Sequence, residues 1–394
     1  RFFIAAIAVS VIIFGKIDFT FIVCSIIILG LVSTFYTMMG GIKGLLYIDT
    51  FQTLLMTFTG VVALVMVYCS LEGLSLAEIW NQLSAGGMVK SPGADAALLA
   101  DGSLQGWEHG SKLKMFDPSL DFSKPYTIIG GMIGIAFFKI AQYTTDQEFV
   151  QRQLSCKSVK KAGTSLIWSQ LLAIPIVLTF LCIGLLLWVK YINDPYIDGQ
   201  ISAGFFSDAR DLFPQYIKNH IPTGVRGLMI TGLLAAALSS FNSAINAMAS
   251  SFVDDLYLPI RKDMGKAVQS DKDQISSSRW MAGLMGMLLT AFAILTAVMQ
   301  EASGLNLVDF ATGVMCFAYG GMIGVFLTAI FSKRGNGKSV MAALIIGALI
   351  IIPLMFQKQL FGQTYIAWSW WCPIAGIVST LVCLAGKPKR QTAE

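Results

Sequence analysis

Ser239, Ser243, Asn246 and Ser250 fall at offsets 0, +4, +7 and +11, which is one stripe of a helix. They lie in RGLMITGLLAAALSSFNSAINAMASSFVDDLYLPI, residues 226–260, a run long and apolar enough to cross a bilayer. Ala236 sits at −3 from the stripe, and Ser240 lies beside Ser239. Two chemistries fit this pattern. Hydroxyls among small residues let helices pack closely, each Ser bonding back to its own backbone. The same oxygens can ligate a small hard cation, which prefers hydroxyl and carbonyl oxygen to nitrogen or sulfur.

Two charges lie where charge is expensive. Asp49 sits about 8 Å inside the end of an apolar run at 1.5 Å per residue. Gln52, Thr53 and Thr57 follow on its face at +3, +4 and +8. Either the carboxylate lines an ion path, or it snorkels to water or pairs with Lys43. Lys139, in IIGGMIGIAFFKIAQYTTDQ, lies mid-span and must find a carboxylate, carbonyls or an anionic solute. Gln142 shares its face. Gly130, Gly131 and Gly134 upstream permit either a break in the helix or close packing. Thr312 stands among Gly313, Gly320, Gly321 and Gly324, where packing is the simpler role. Arg1 is a second candidate buried cation.

The elements that must position these residues are membrane helices. The 394-residue chain is 55% hydrophobic and 13% charged, which excludes a soluble domain once apolar runs of 18 or more residues recur. Spans are expected at 2–14, 19–38, 44–71, 126–145, 164–190, 224–253, 280–300, 304–332, 338–357 and 364–386. The chain opens without Met inside an apolar run, so a missing N-terminal part is expected. Of 28 basic residues, 16 fall in one alternate set of loops and tail, from Lys43 through Arg152 and Arg261 to Arg390, which places that set and the C-terminus in the cytoplasm. Trp368, Trp370 and Trp371 suit an interfacial belt, and the long loops 72–125 and 191–223 suit partly structured caps.

The net charge of +5 therefore follows membrane topology, and no nucleic-acid partner is implied. The seven cysteines, at 24, 69, 156, 182, 316, 372 and 383, lack metal-ligand spacing and read as core residues. No nucleophile–base pair or phosphate loop supports an enzyme. No obligate protein partner is evident.

Four blocks in order carry a family resemblance: GGIKGLLYIDTFQT (40–53), TTDQEFVQRQLSCKS (144–158), PTGVRGLMITGLLAAALSSFNSAINAMASSFVDDLY (222–257) and AIFSKRGN (329–336). The chain resembles the sodium/solute symporter family, whose members carry sugars, proline, iodide, monocarboxylates or sialic acid. The resemblance implies an all-α polytopic membrane protein with an inverted-repeat (5+5) transporter core, its first two to three helices missing, plus two C-terminal helices. Residues 1–71 would be the remainder of the first repeat, 72–125 an extracellular loop, 126–332 the second repeat, and 333–394 two extra spans and a cytoplasmic tail.

By the same resemblance, a principal sodium site would use the Ala236 carbonyl and the hydroxyls of Ser239 and Ser240. A second would use Asp49 with Asn242 and Ser243, although members with that site show Ser or Thr at the position of Asn242. Lys139 and Thr312 fall where sugar carriers place neutral polar contacts, and Arg1 matches an Arg that binds carboxylate in sialic-acid members. With Gln142 these are the expected solute contacts. The implied function is Na+-coupled symport of a small organic solute by alternating access, an acid rather than a hexose, in the plasma or inner membrane. The alternatives are a proton-coupled carrier using Asp49 and a transporter-like sensor.

Overall fold

The computed structural model describes residues 2–15, 18–71, 73–85, 87–90, 97–98, 104–105, 107–114, 116–193, 196–197, 200–201, 212–265, 271–303, 305 and 307–387. In chain order the helices are α1 (Phe2–Phe14), α2 (Phe19–Cys69), α3 (Leu76–Ala85), α4 (Ala136–Thr145), α5 (Gln147–Leu154), α6 (Val159–Asn193) and α7 (Leu212–His220). There follow α8 (Thr223–Phe252), α9 (Leu258–Asp263), α10 (Asp271–Ser303), α11 (Leu307–Phe331), α12 (Gly337–Met355), α13 (Gln357–Phe361) and α14 (Trp368–Leu384). The strands are short and belong to the long loops: β1 (Gly87–Lys90) pairs antiparallel with β4 (Trp107–Gly110), β2 (Ala97–Leu98) with β3 (Leu104–Gln105), and β5 (Tyr196–Ile197) with β6 (Gln200–Ile201). Seven helical stretches among the described residues are long and apolar enough to cross a membrane, so this is a multi-span membrane protein whose spans are helical. On α6, Ile167, Leu172, Val177 and Leu181 are all exposed, as side chains that face lipid are.

The chain divides into two compact units, one of residues 1–83 and 153–298 and the other of 84–152 and 299–394. In the first unit α8 packs against α2 and α1, with Phe2 stacked on Phe241 at 3.9 Å between ring centres. The first part of α2 approaches α10 through reciprocal glycine–threonine pairs. A Cβ at Gly286 would lie 2.1 Å from Thr34 Oγ1, and one at Gly30 would lie 2.3 Å from Thr290 Oγ1. Small residues at such seams let backbones close up where lipid offers no hydrophobic drive. In the second unit α11, α12 and α14 meet in the same way. A Cβ at Gly320 would lie 2.5 Å from that of Ala375, and one at Gly347 would lie 2.6 Å from the Gly321 Cα.

Two sequence expectations change, and the alternative left open at Gly130, Gly131 and Gly134 is decided for close packing at Gly134. A loop was expected between 38 and 44, but the backbone is helical from 19 through 69. Its 51 residues would extend about 76 Å, far beyond a hydrocarbon core of about 30 Å, so α2 holds two crossing windows, Phe19–Met39 and Tyr47–Cys69. Gly130, Gly131 and Gly134 do not break their helix. They form a π-helical turn, Gly130–Ile135, leading into α4, with Gly134 so close to Ser369 that a Cβ would meet its carbonyl oxygen at 2.1 Å. Trp368 and Trp371 are 8% and 1% exposed, in the core of the second unit rather than in a belt. Burial there is possible because both indoles find acceptors, Trp368 on Asp309 (2.8 Å) and Trp371 on the Ile366 carbonyl (2.9 Å).

The termini of the elements follow ordinary capping chemistry. Asp18 caps α2 by accepting from the Thr20 amide, and Asn336 and Ser339 form a reciprocal capping box on α12. Before the span that starts near 126, Asp121 accepts from the Ser123 hydroxyl and amide, which hold its carboxyl below the ordinary range.

Gly286→Val should lower the unfolding temperature of the detergent-solubilised chain, at a cost of about 1–3 kcal/mol from overpacking. Thr34→Ala in the same chain removes the contacts at 2.1 and 2.6 Å but leaves the Cβ at 2.8 Å, and should recover part of it. A thermal ramp monitored by size-exclusion chromatography reads both.

Candidate functional site

The polar cluster of the first unit forms where α2 crosses the serine stripe of α8. Asp49 is 8% exposed, and its two carboxylate oxygens are taken separately. Ser239 Oγ donates to Oδ1 at 2.7 Å, and Ser243 Oγ donates to Oδ2 at 3.0 Å. The two serines stand one helical turn apart on α8, so a single carboxylate spans the turn. A neighbouring face is small: a Cβ at Gly232 would lie 2.3 Å from Thr59 Oγ1, so α8 and α2 run in close contact. Next to this seam, Ala236 helps line an apolar cavity of about 90 Å³ with Met56, Thr59 and Phe180. That is too small for an organic solute, whose pockets run to about 300 Å³ or more.

A hydroxyl has one proton and two lone pairs. Ser239 and Ser243 each spend a proton on Asp49, so each presents to its remaining surroundings only acceptor capacity. Asp49 Oδ1 and Oδ2 with the two Oγ atoms form an oxygen cluster carrying one negative charge. Such a cluster attracts a hard cation and repels an anion. Further along α2, Thr53 and Thr57 turn their hydroxyls back to the carbonyls of Asp49 and Thr53, both at 2.8 Å.

Asn242 takes a different direction. It is 1% exposed, and its amide oxygen accepts from the hydroxyls of Ser33 and Thr37, the latter at 2.9 Å, both in the first part of α2. Sequence reasoning paired Asn242 with Asp49; on α8, Ser239 and Ser243 donate to Asp49, and the Asn242 oxygen serves the first part of α2. Ser33 and Thr37 were missed altogether, though two hydroxyls at i and i+4 within SIIILGLVSTFYT were the available signal. Ser240 and Ala236 lie half-buried on the same stretch of α8.

The expected solute contacts that are described belong to the second unit. Lys139 is half-buried. Its Nζ donates to Gln142 Oε1 at 3.0 Å and lies 5.6 Å from the centre of the Tyr143 ring. Lys139 and Gln142 are thus brought together. Thr312 donates to the Val308 carbonyl of its own helix at 2.8 Å, as a packing threonine does. Arg1 lies outside the described residues. Two further clusters escaped sequence reading. Asp146 accepts from Tyr319 at 2.6 Å, and Asp309, in the first turn of α11, accepts from Tyr126 and Trp368 at 2.8 Å each.

The model of the sodium:solute symporter family matches residues 8–347. The chain belongs to that family. Among its relatives is the sodium/sialic acid symporter SiaT of Proteus mirabilis, 27% identical over 85% of this chain and 60% of its own length. Another is the human sodium/iodide cotransporter, 25% identical over 81% of this chain and 44% of its own. The chain thus spans about half the length of the curated relatives it matches. A solved Na+-coupled sialic acid symporter, substrate-bound and outward-open, aligns with 98% of this chain and 71% of its own, with a TM-score of 0.69 at 23% identity. That likeness establishes the fold of the symporter family for this chain.

Asn242→Ala would leave the buried Ser33 hydroxyl without its acceptor, while Thr37 keeps the Ser33 carbonyl at 2.8 Å, at a cost of about 1–3 kcal/mol. The unfolding temperature of Asn242→Ala should fall below that of wild type. Ser33→Ala/Thr37→Ala/Asn242→Ala should recover part of the loss, because no donor is then stranded.

Proposed function

We propose that this chain belongs to a secondary active transporter that couples Na+ entry to uptake of a small organic acid by alternating access. The observation that carries this is the buried Asp49 carboxylate bridging Ser239 and Ser243, a one-signed oxygen cluster inside a membrane helix pair. Family membership and relatives named as sodium symporters support the same reading. Asp49, Ser239 and Ser243 are assigned as sodium contacts, with Ser240 and the Ala236 carbonyl contributing to a principal site. Asn242 is assigned as the residue that fixes α8 to the first part of α2, since its oxygen already serves Ser33 and Thr37.

Lys139 and Gln142 are the proposed solute contacts. The cation at Lys139 suits a carboxylate better than a neutral sugar, and relatives named as sialic acid symporters fit that preference. The division into repeats at 1–71 and 126–332, the cell-membrane location and the cytoplasmic C-terminus are part of this reading.

The energetics favour a cation site beside the carboxylate. A tenfold Na+ gradient supplies about 1.4 kcal/mol, and each charge crossing 100 mV supplies about 2.3 more. One Na+ then supports roughly a 500-fold gradient of a neutral solute. An anionic solute gives back one electrical share, so a second cation restores the drive.

Uptake by the whole transporter in sodium-defined vesicles tests this. Ser240→Ala should raise the Na+ concentration for half-maximal uptake several-fold. Asp49→Asn should lower the Na+ Hill coefficient, and Lys139→Gln should weaken uptake of acids more than of neutral solutes. Uptake driven by a pH gradient in sodium-free buffer would replace Na+ with H+ and overturn the proposal.

A further inference from the structure

The helix that carries the serine stripe does not end with it. After α8 the backbone widens into a π-helical turn, Val253–Tyr257, and continues as α9. Across from this end stands the start of α10. Between them lies a cavity of about 420 Å³, within the range of about 300–1,000 Å³ usual for ligand sites. One wall presents Tyr257 and Arg261, four residues apart on one face. The other presents Asp273, Ser276, Ser277 and Trp280, at i, i+3, i+4 and i+7 of α10. The Arg261 guanidinium lies 3.4 Å from the Tyr257 hydroxyl, which aligns two donors on one side of the cavity.

The level of this cavity is set by sequence. On one helix apolar residues give way to Asp254, Asp255, Arg261, Lys262 and Asp263, and on the other Asp271, Lys272, Asp273 and Arg279 precede the apolar run. Both helices therefore change from apolar to charged at the cavity, which is the depth of phospholipid headgroups. Trp280, 74% exposed at its rim, is the amphipathic type found at that depth.

We propose that this cavity binds the headgroup of a phospholipid of the ethanolamine class. Among the described residues the walls carry one cation, Arg261, and one anion, Asp273, and so match a zwitterion. Arg261 with the Ser276, Ser277 and Tyr257 hydroxyls supplies donors for the phosphodiester, and Asp273 accepts from the primary ammonium. A phosphatidylglycerol headgroup sets only hydroxyls against Asp273 while bringing an anionic phosphate to the same cavity. A choline headgroup has no N–H to give it. The indole of Trp280 lies where the glycerol backbone meets its acyl chains.

The test is native mass spectrometry of the full chain, purified in detergent and titrated with phosphatidylethanolamine, phosphatidylcholine or phosphatidylglycerol. The expected result is one phosphatidylethanolamine retained about tenfold more tightly than either other lipid. Asp273→Asn should reduce it to the level of phosphatidylcholine, Asp273→Glu should restore the preference, and Arg261→Gln should weaken all three lipids. Equal retention of the three lipids would overturn the proposal, as would an unchanged preference in Asp273→Asn. Glycerophosphoethanolamine, the same headgroup without acyl chains, should bind at least about tenfold more weakly. Equal binding would assign the cavity to a soluble phosphodiester and overturn the lipid assignment.

Discussion

A carboxylate inside a bilayer has no water to accept from, so the residues around it must supply donors or a cation. At Asp49 the donors come from the neighbouring helix: Ser239 takes one oxygen and Ser243 the other. That requirement dictates much of the first unit. α8 must bring small hydroxyl residues to face α2 at one turn's spacing, and its backbone must come close enough for short side chains to reach. The composition of 234–243, mostly Ala and Ser, meets both needs at once. Larger side chains would hold the helices apart, and the carboxylate would lose its partners.

The same seam explains why Asn242 is an amide. Its oxygen sits against Ser33 and Thr37, two hydroxyls of a helix segment distinct from the one bearing Asp49. Three consecutive-face residues of α8 thus hold two segments of α2 by polar contacts, while Gly30–Thr290 and Gly286–Thr34 hold the first of those segments against α10 by shape. Polar contacts in membranes give modest energy but a defined register, and glycine seams give the close approach that those contacts need. Each device depends on the other.

Much of this was legible in sequence, for identifiable reasons. Helical period and hydropathy are local, so the stripe 239–250 and most span positions could be read directly. The cost of Asp49 could be read because its depth follows from its place in an apolar run. What could not be read was tertiary. Asn242 was linked to Asp49 because both were assigned to one site, yet a side chain's azimuth on a helix decides its partner, and Ser33 and Thr37 lie more than 200 residues away. The tryptophans at 368 and 371 were read as a belt by composition. Their indole N–H groups have acceptors inside the protein, at Asp309 and Ile366, which makes burial affordable. The glycines at 130–134 were correctly marked as special, but a π turn and a broken helix share that signature.

On the proposed reading, the chemistry of coupling is set by what changes when a cation arrives. A ligand shifts a conformational equilibrium only through interactions that differ between states. With the carboxylate accepting two hydroxyl protons, the cluster already holds α2 to α8, so a cation adds attraction without needing to create the contact. The added energy is then largest in whichever state brings further oxygens, such as the Ala236 carbonyl and Ser240, within ligating distance. A state that keeps only Asp49, Ser239 and Ser243 offers too few ligands for a hard cation stripped of water, and binds it weakly. Asp49 therefore supplies attraction, and the additional oxygens supply the difference between states that coupling requires.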